Sequence, residues 1–215
     1  MSLPATSGAP RPWATALLSL AAVATLASPS ATALLAYRRP ELADGQWWRA
    51  LGGHWTHWSA DHLIWDLVVF AAVGALLEAR GRRLRLVACS AAAALVISGG
   101  VWLLEPGIGE YRGLSGIATA LFTLLALDLL RESLRAGRRG LAAVLVAVLV
   151  GSLAKLALEI AAGGTLFVDA ASAGFVTVWL AHLLGAGVGA IFGVTSPGLA
   201  AEGPVLAPGP GLRAA

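Results

Sequence analysis

Gly113-Leu114-Ser115-Gly116 opens one apolar segment, and Ala181-His182-Leu183-Leu184-Gly185 lies inside another. A serine and a histidine each stand in otherwise greasy sequence. Lipid offers such groups no water, so an embedded histidine needs a polar partner and points to function. The segments around them decide the fold, because their length tells whether they lie in lipid.

Composition places the chain in a membrane. Of its 215 residues, 58% are hydrophobic and 13% charged; the mean hydropathy is +0.78. A soluble domain carries about a quarter charged residues. Several apolar runs reach the ~20 residues that span a bilayer. They are continuous rather than alternating, which excludes a β-barrel. The single cysteine, Cys89, allows no internal disulfide and falls within a span. Fifteen Lys and Arg against 12 Asp and Glu give a net charge of +3 and a pI near 9.7. These basic residues gather in short loops, where they set orientation; nucleic acid is not an expected partner.

Six spans follow: Trp13 to Leu35, with Pro29 ending or kinking it, Leu63 to Leu77, Leu84 to Leu104, Leu114 to Leu130, Leu141 to Ala162, and Ala171 to Val194. The expected fold is an all-α integral membrane bundle of six transmembrane helices over residues 13–195. Residues 1–12 form a cytoplasmic N-terminal segment. Residues 196–215, rich in Pro, Gly and Ala, form a flexible tail. Arg80, Arg82, Arg83 and Arg85 separate the second and third spans; Arg131, Arg135, Arg138 and Arg139 separate the fourth and fifth. Both loops are expected in the cytoplasm, and both termini with them. The opposite face carries Glu41, Asp44, Asp61, Glu105 and Glu110, interspersed with Arg38, Arg39, Arg49 and Arg112. The first span also has a second reading. Arg11, an apolar core and Ser30-Ala31-Thr32-Ala33 resemble a cleavable leader.

Ser115 stands at the start of the fourth span, after the turn-like Pro106-Gly107-Ile108-Gly109. A helix start leaves backbone N–H groups unpaired and carries partial positive charge. Such donors suit the oxyanion of an acyl-transfer intermediate, and Gly113 and Gly116 allow close approach. Gly-x-Ser-Gly is equally a small-residue packing face, with Ala120 one turn beyond Gly116. Gly185, Gly189 and Gly193 share a helical face with His182. That face fits the small residues of the fourth span, and such packing brings His182 to Ser115, where an imidazole can take the hydroxyl proton. A structural histidine bonded to a backbone carbonyl is the rival reading.

His62 and Asp66, one turn apart, put two polar groups on one face of the second span. They serve an oxyanion or position water, or they form an interhelical hydrogen-bond pair. His54, His57 and His62, even with Asp61 or Asp66, lack the spacing of a zinc site, so no metal is expected. Trp47, Trp48, Trp55, Trp58 and Trp65 form an interfacial belt before a substrate groove. Lys155 and Glu159, four apart in the fifth span, are expected to pair toward the bundle interior; a transport path is the alternative.

As a set, these motifs resemble the rhomboid intramembrane serine proteases. Gln46-Trp47-Trp48-Arg49 resembles the Trp-Arg signature of the rhomboid first loop. His57, His62 and Asp66 keep the register of the family's His-x-x-x-x-His-x-x-x-Asn pattern. Glu78 matches the Glu at the end of its second span. Gly113-Leu114-Ser115-Gly116 and Ala181-His182-x-x-Gly185-x-x-x-Gly189 match the catalytic motifs, over residues 46–193 in all. The resemblance implies Ser115 as nucleophile and His182 as general base. It implies an oxyanion region at His62, Asp66, Gly113 and Leu114, and helix packing through Gly116, Gly185 and Gly189. It implies no metal or cofactor, and substrates that are membrane-anchored proteins cut near the outer face of a bilayer. The Trp-rich first loop and Tyr111-Arg112 before the serine motif are similar to the rhombosortases, bacterial rhomboids associated with C-terminal Gly-Gly anchor signals. That similarity implies a multi-pass protein of a bacterial inner membrane. An inactive client-binding relative and a small proton-coupled transporter using Lys155, Glu159 and Asp66 are the alternatives.

Asp66 departs from the family's Asn. An ionised carboxylate cannot donate to an oxyanion. Either burial keeps it protonated, or it stays ionised and orients His62. The second is expected here.

Overall fold

A computed structural model describes residues 11–162 and 179–195. In lipid every backbone polar group must be paired within its own segment, so apolar runs become helices. The chain forms α1 (Trp13–Ala27), α2 (Pro29–Leu35), α3 (Arg39–Ala43), α4 (Arg49–Gly52), α5 (Ala60–Ala79), α6 (Arg83–Leu104), α7 (Ser115–Arg135), α8 (Arg139–Ala162) and α9 (Trp179–Val194). One 3-10 turn covers Gly53–Trp55.

The expected first span is two helices, not one. They bend by 111° at Ser28-Pro29. Pro29 lacks the N–H that would continue α1, and it suits the first turn of α2 instead. Ser28 caps that turn, its Oγ accepting from Ala31 N at 3.3 Å. Among the described residues α5, α6 and α8 are long and apolar enough to cross a membrane, and the bent pair counts as a fourth if taken as one span. The charged residues Asp128, Arg131, Glu132 and Arg135 crowd the end of α7, which runs past the expected end at Leu130. α9 is apolar but described over 16 residues only. The expected start at Ala171 and the tail from 196 lie outside the described residues.

α7 sits at the centre and packs on α5, α6, α8 and α9. The core runs through Phe70 and Leu77, Ile97 and Val101, Ile117, Leu121 and Leu124, and Val188. Leu17, Leu20, Ile64, Val68, Leu95, Val144 and Val150 face outward. An apolar exterior of this kind requires lipid rather than water.

Arginines do more than orient the loops. Arg131 Nη1 donates to the carbonyls of Gly193 (2.6 Å) and Val194 (2.9 Å), and Arg85 donates to that of Phe192. Together they cap the C-terminus of α9, where carbonyls and the helix dipole favour cations. Glu78 fastens α1 to α5, accepting from Thr15 N and Oγ1, both at 2.7 Å, and from Arg83 Nε at 2.7 Å.

The expected spans left out the short elements of the loops: α3, α4, the 3-10 turn and a pair of strands. Tyr37-Arg38 (β1) pairs antiparallel with Glu110-Tyr111 (β2), in the register Tyr37↔Tyr111 and Arg38↔Glu110. Two residues carry no periodicity, so no pattern announces them. This pairing ties the first loop to the segment that enters Ser115.

Candidate active site

The site is assembled at the mouth of α7. Ser59 caps α5, its Oγ accepting from His62 N at 3.1 Å. The next turn buries His62 and Asp66 on one face. Asp66 is the hub. Its Oδ2 accepts the Leu114 backbone N–H at 2.7 Å, lies 3.2 Å from His57 Nε2 and 3.5 Å from His62 Nε2. The rings of His57 and His62 meet edge to face, with centroids 5.2 Å apart. The carboxylate therefore spends one of the orphan donors at the start of α7 and leaves the Ser115 N–H ahead of it.

Gly113 makes this geometry possible. Its φ is +126°, and a Cβ there would stand 2.9 Å from His62 Cε1. Only glycine tolerates both demands. Tyr111 Oη donates to the Gly113 carbonyl at 3.3 Å, and burial pushes its hydroxyl pKa up. The Tyr111 ring packs edge-on against His54.

His54 belongs to the scaffold. Its Nε2 donates to Ala94 O at 3.0 Å and lies 3.1 Å from Ser98 Oγ. Full burial pulls its pKa down to about 4, so it is neutral at physiological pH. Arg49 is buried as well, donating to the carbonyls of Ala33 (2.8 Å) and Ala36 (2.9 Å) and to Gln46 Oε1 (2.8 Å). The Trp-Arg stretch thus folds the first loop. Trp47 and Trp48 point outward, as an interfacial belt does.

Small residues bring α9 onto α7. A Cβ on Gly116 would stand 2.9 Å from Ala181 O. One on Gly185 would enter the space of Gly116 O, and one on Gly189 that of Ala120 O. Ser115 and His182 are the chain neighbours of Gly116 and Ala181, the residues that make this contact. Both are partly exposed, and His182 approaches His62 closely enough for their charges to interact. Among the described residues no hydrogen bond joins Ser115 Oγ to His182. Such bonds often tighten only with substrate bound.

His182 Nδ1 faces a different residue, Glu159 Oε2 at 3.7 Å. Glu159 Oε1 takes the Lys155 ammonium at 2.5 Å. The Lys155–Glu159 pair was legible in the sequence; its approach to His182 was not. The signal for it is an acid standing in an apolar span. Among the described residues no group of three or more His, Cys, Asp or Glu is arranged to hold a metal.

A bundle of apolar helices with a serine at a helix mouth, flanked by a histidine on a glycine-faced neighbour, defines a membrane protein with a buried polar centre. Residues 44–197 match the family model of the Rhomboid domain. The chain belongs to the rhomboid family, whose members are generally intramembrane serine proteases that act on membrane proteins in the bilayer. No curated protein sequence matches the chain.

Proposed function

We propose that the chain is an intramembrane serine endopeptidase in which Ser115 is the nucleophile and His182 the general base. The observation that supports this reading is the Gly116–Ala181–Gly185 contact, which packs the chain neighbours of the two residues against each other at the start of α7. His182 takes the Ser115 hydroxyl proton as Oγ attacks the scissile carbonyl. The resulting oxyanion meets the Ser115 N–H and an imidazole N–H of His62. The proton then passes to the leaving amine, and water hydrolyses the acyl-enzyme.

Asp66 holds this arrangement as an ionised carboxylate. Its Oδ2 accepts the Leu114 N–H and lies 3.2 Å from His57 Nε2 and 3.5 Å from His62 Nε2. Asp66→Asn is expected to lower kcat about tenfold, because the amide grips His57 and His62 less well. The comparison is a rate profile of both proteins across neutral pH; a mutant as fast as wild type removes Asp66 from this role.

The six-span arrangement completes the proposal. The bent α1–α2 pair, α5, α6, α7, α8 and α9 supply the spans, both termini lie in the cytoplasm of a bacterial cell, and the site opens outward. The Arg-rich turns before α6 and α8 support that orientation. The substrates are exported proteins with a C-terminal Gly-Gly anchor signal, as in rhombosortases. Support comes from Tyr111-Arg112 and the Trp-rich loop; Gly-Gly also unwinds readily at a narrow site. Family membership favours neither an inactive client-binding relative nor a proton-coupled transporter. Incubation with a Gly-Gly-anchored reporter, followed by mass spectrometry of the products, tests the substrate class. Cleavage confined to unrelated anchors with bulky residues at the cut overturns it.

A further inference from the structure

The fifth apolar segment carries an acid that neutralisation alone does not explain. Lys155 and Glu159 form a pair, but an asymmetric one: the lysine side chain is 36% exposed and the glutamate 4%. A pair that only offset its own charges would send both heads toward the interface. Here the carboxylate turns inward instead. Its Oε1 holds Lys155 Nζ, and its Oε2 lies 3.7 Å from His182 Nδ1.

We infer that Glu159 is a positioning residue for His182, a role that rests on the Ser115–His182 reading above. A carboxylate opposite Nδ1 selects the tautomer with its proton on Nδ1. Nε2 is then bare and free to take the Ser115 proton. At 3.7 Å the contact is electrostatic rather than a hydrogen bond. It strengthens once His182 becomes an imidazolium, which is when catalysis needs it. Lys155 holds the other carboxylate oxygen in place. Among the described residues, the charged and titratable groups around His182 are Glu159 and Lys155 from α8 and, from the α5 side, His62 with Asp66 and His57 behind it.

The test uses the full-length protein in phospholipid nanodiscs. Three things are measured for wild type, Glu159→Gln and Glu159→Asp: the rate of fluorophosphonate labelling at Ser115, kcat and KM on a cleavable anchored reporter, and the 15N signals of His182, assigned with His182→Ala. Glu159→Gln should lower labelling and kcat about tenfold or more, leave KM nearly unchanged, and shift His182 away from the Nδ1–H tautomer. Glu159→Asp, whose shorter carboxylate withdraws from Nδ1, should fall between the two. It carries the comparison if Glu159→Gln does not fold. Rates within twofold of wild type with an unchanged His182 tautomer would overturn the inference. If wild type is not labelled at Ser115, the nucleophile reading fails instead, and the tautomer of His182 still decides the Glu159 contact.

Discussion

Ser115→Ala and His182→Ala are each expected to abolish fluorophosphonate labelling and to cut reporter cleavage by at least about a thousandfold. The argument starts from how little else each change removes. Ser115 is the first residue of α7, and it holds the helix there through its carbonyl, which also accepts from the Thr119 side chain, Oγ1, at 2.8 Å. Alanine keeps that carbonyl and improves helix propensity. His182→Ala leaves Glu159 held by Lys155, so no buried charge is stranded. Both variants should therefore keep wild-type helicity by circular dichroism. The double variant should be no slower than either single one, because nucleophile and base act as a unit. Labelling of His182→Ala at the wild-type rate would remove the histidine from the mechanism. Cleavage that survives Ser115→Ala would remove the serine.

The sequence disclosed the apolar helices because lipid makes length and hydropathy decisive. It disclosed the glycine face and marked Ser115 and His182 as candidates because small and polar residues stand out in apolar runs. What stayed hidden depends on three-dimensional approach. The break at Ser28-Pro29 was visible as a kink, but its 111° angle depends on packing between α1 and the first loop. There Thr25 Oγ1 meets the Trp55 carbonyl and Trp55 Nε1 donates to Leu18 O. The hydrogen bond from Leu114 N to Asp66 joins residues 48 apart. No local pattern marks a backbone N–H for such a partner. The approach of Glu159 to His182 likewise needs α8 and α9 to be docked. His54, which fits no metal-site spacing, has a structural task that the sequence did not announce: it braces the loop against α6 through Ala94 and Ser98.

Gly185→Ala is expected to destabilise the bundle by about 1–3 kcal/mol or more and to slow labelling of Ser115 beyond what lost stability explains. The added methyl would meet the Gly116 carbonyl, which is backbone of a central helix and has no rotamer through which to yield. α9 must then back away from α7. In the proposed dyad that movement draws His182 away from Ser115, since their neighbours Ala181 and Gly116 make the contact. Gly187 supplies the control. It lies on the same helix, but a Cβ there meets nothing within 4 Å among the described residues. Gly187→Ala should be neutral or gain the roughly 0.5–1 kcal/mol by which alanine exceeds glycine in a helix. Thermal unfolding in detergent compares the two variants, and fluorophosphonate labelling below the transition compares their sites. Equal melting temperatures and equal labelling rates would mean that close α7–α9 packing does not set the dyad. A Gly185→Ala protein that folds well but labels slowly would show that this glycine is kept for geometry more than for stability.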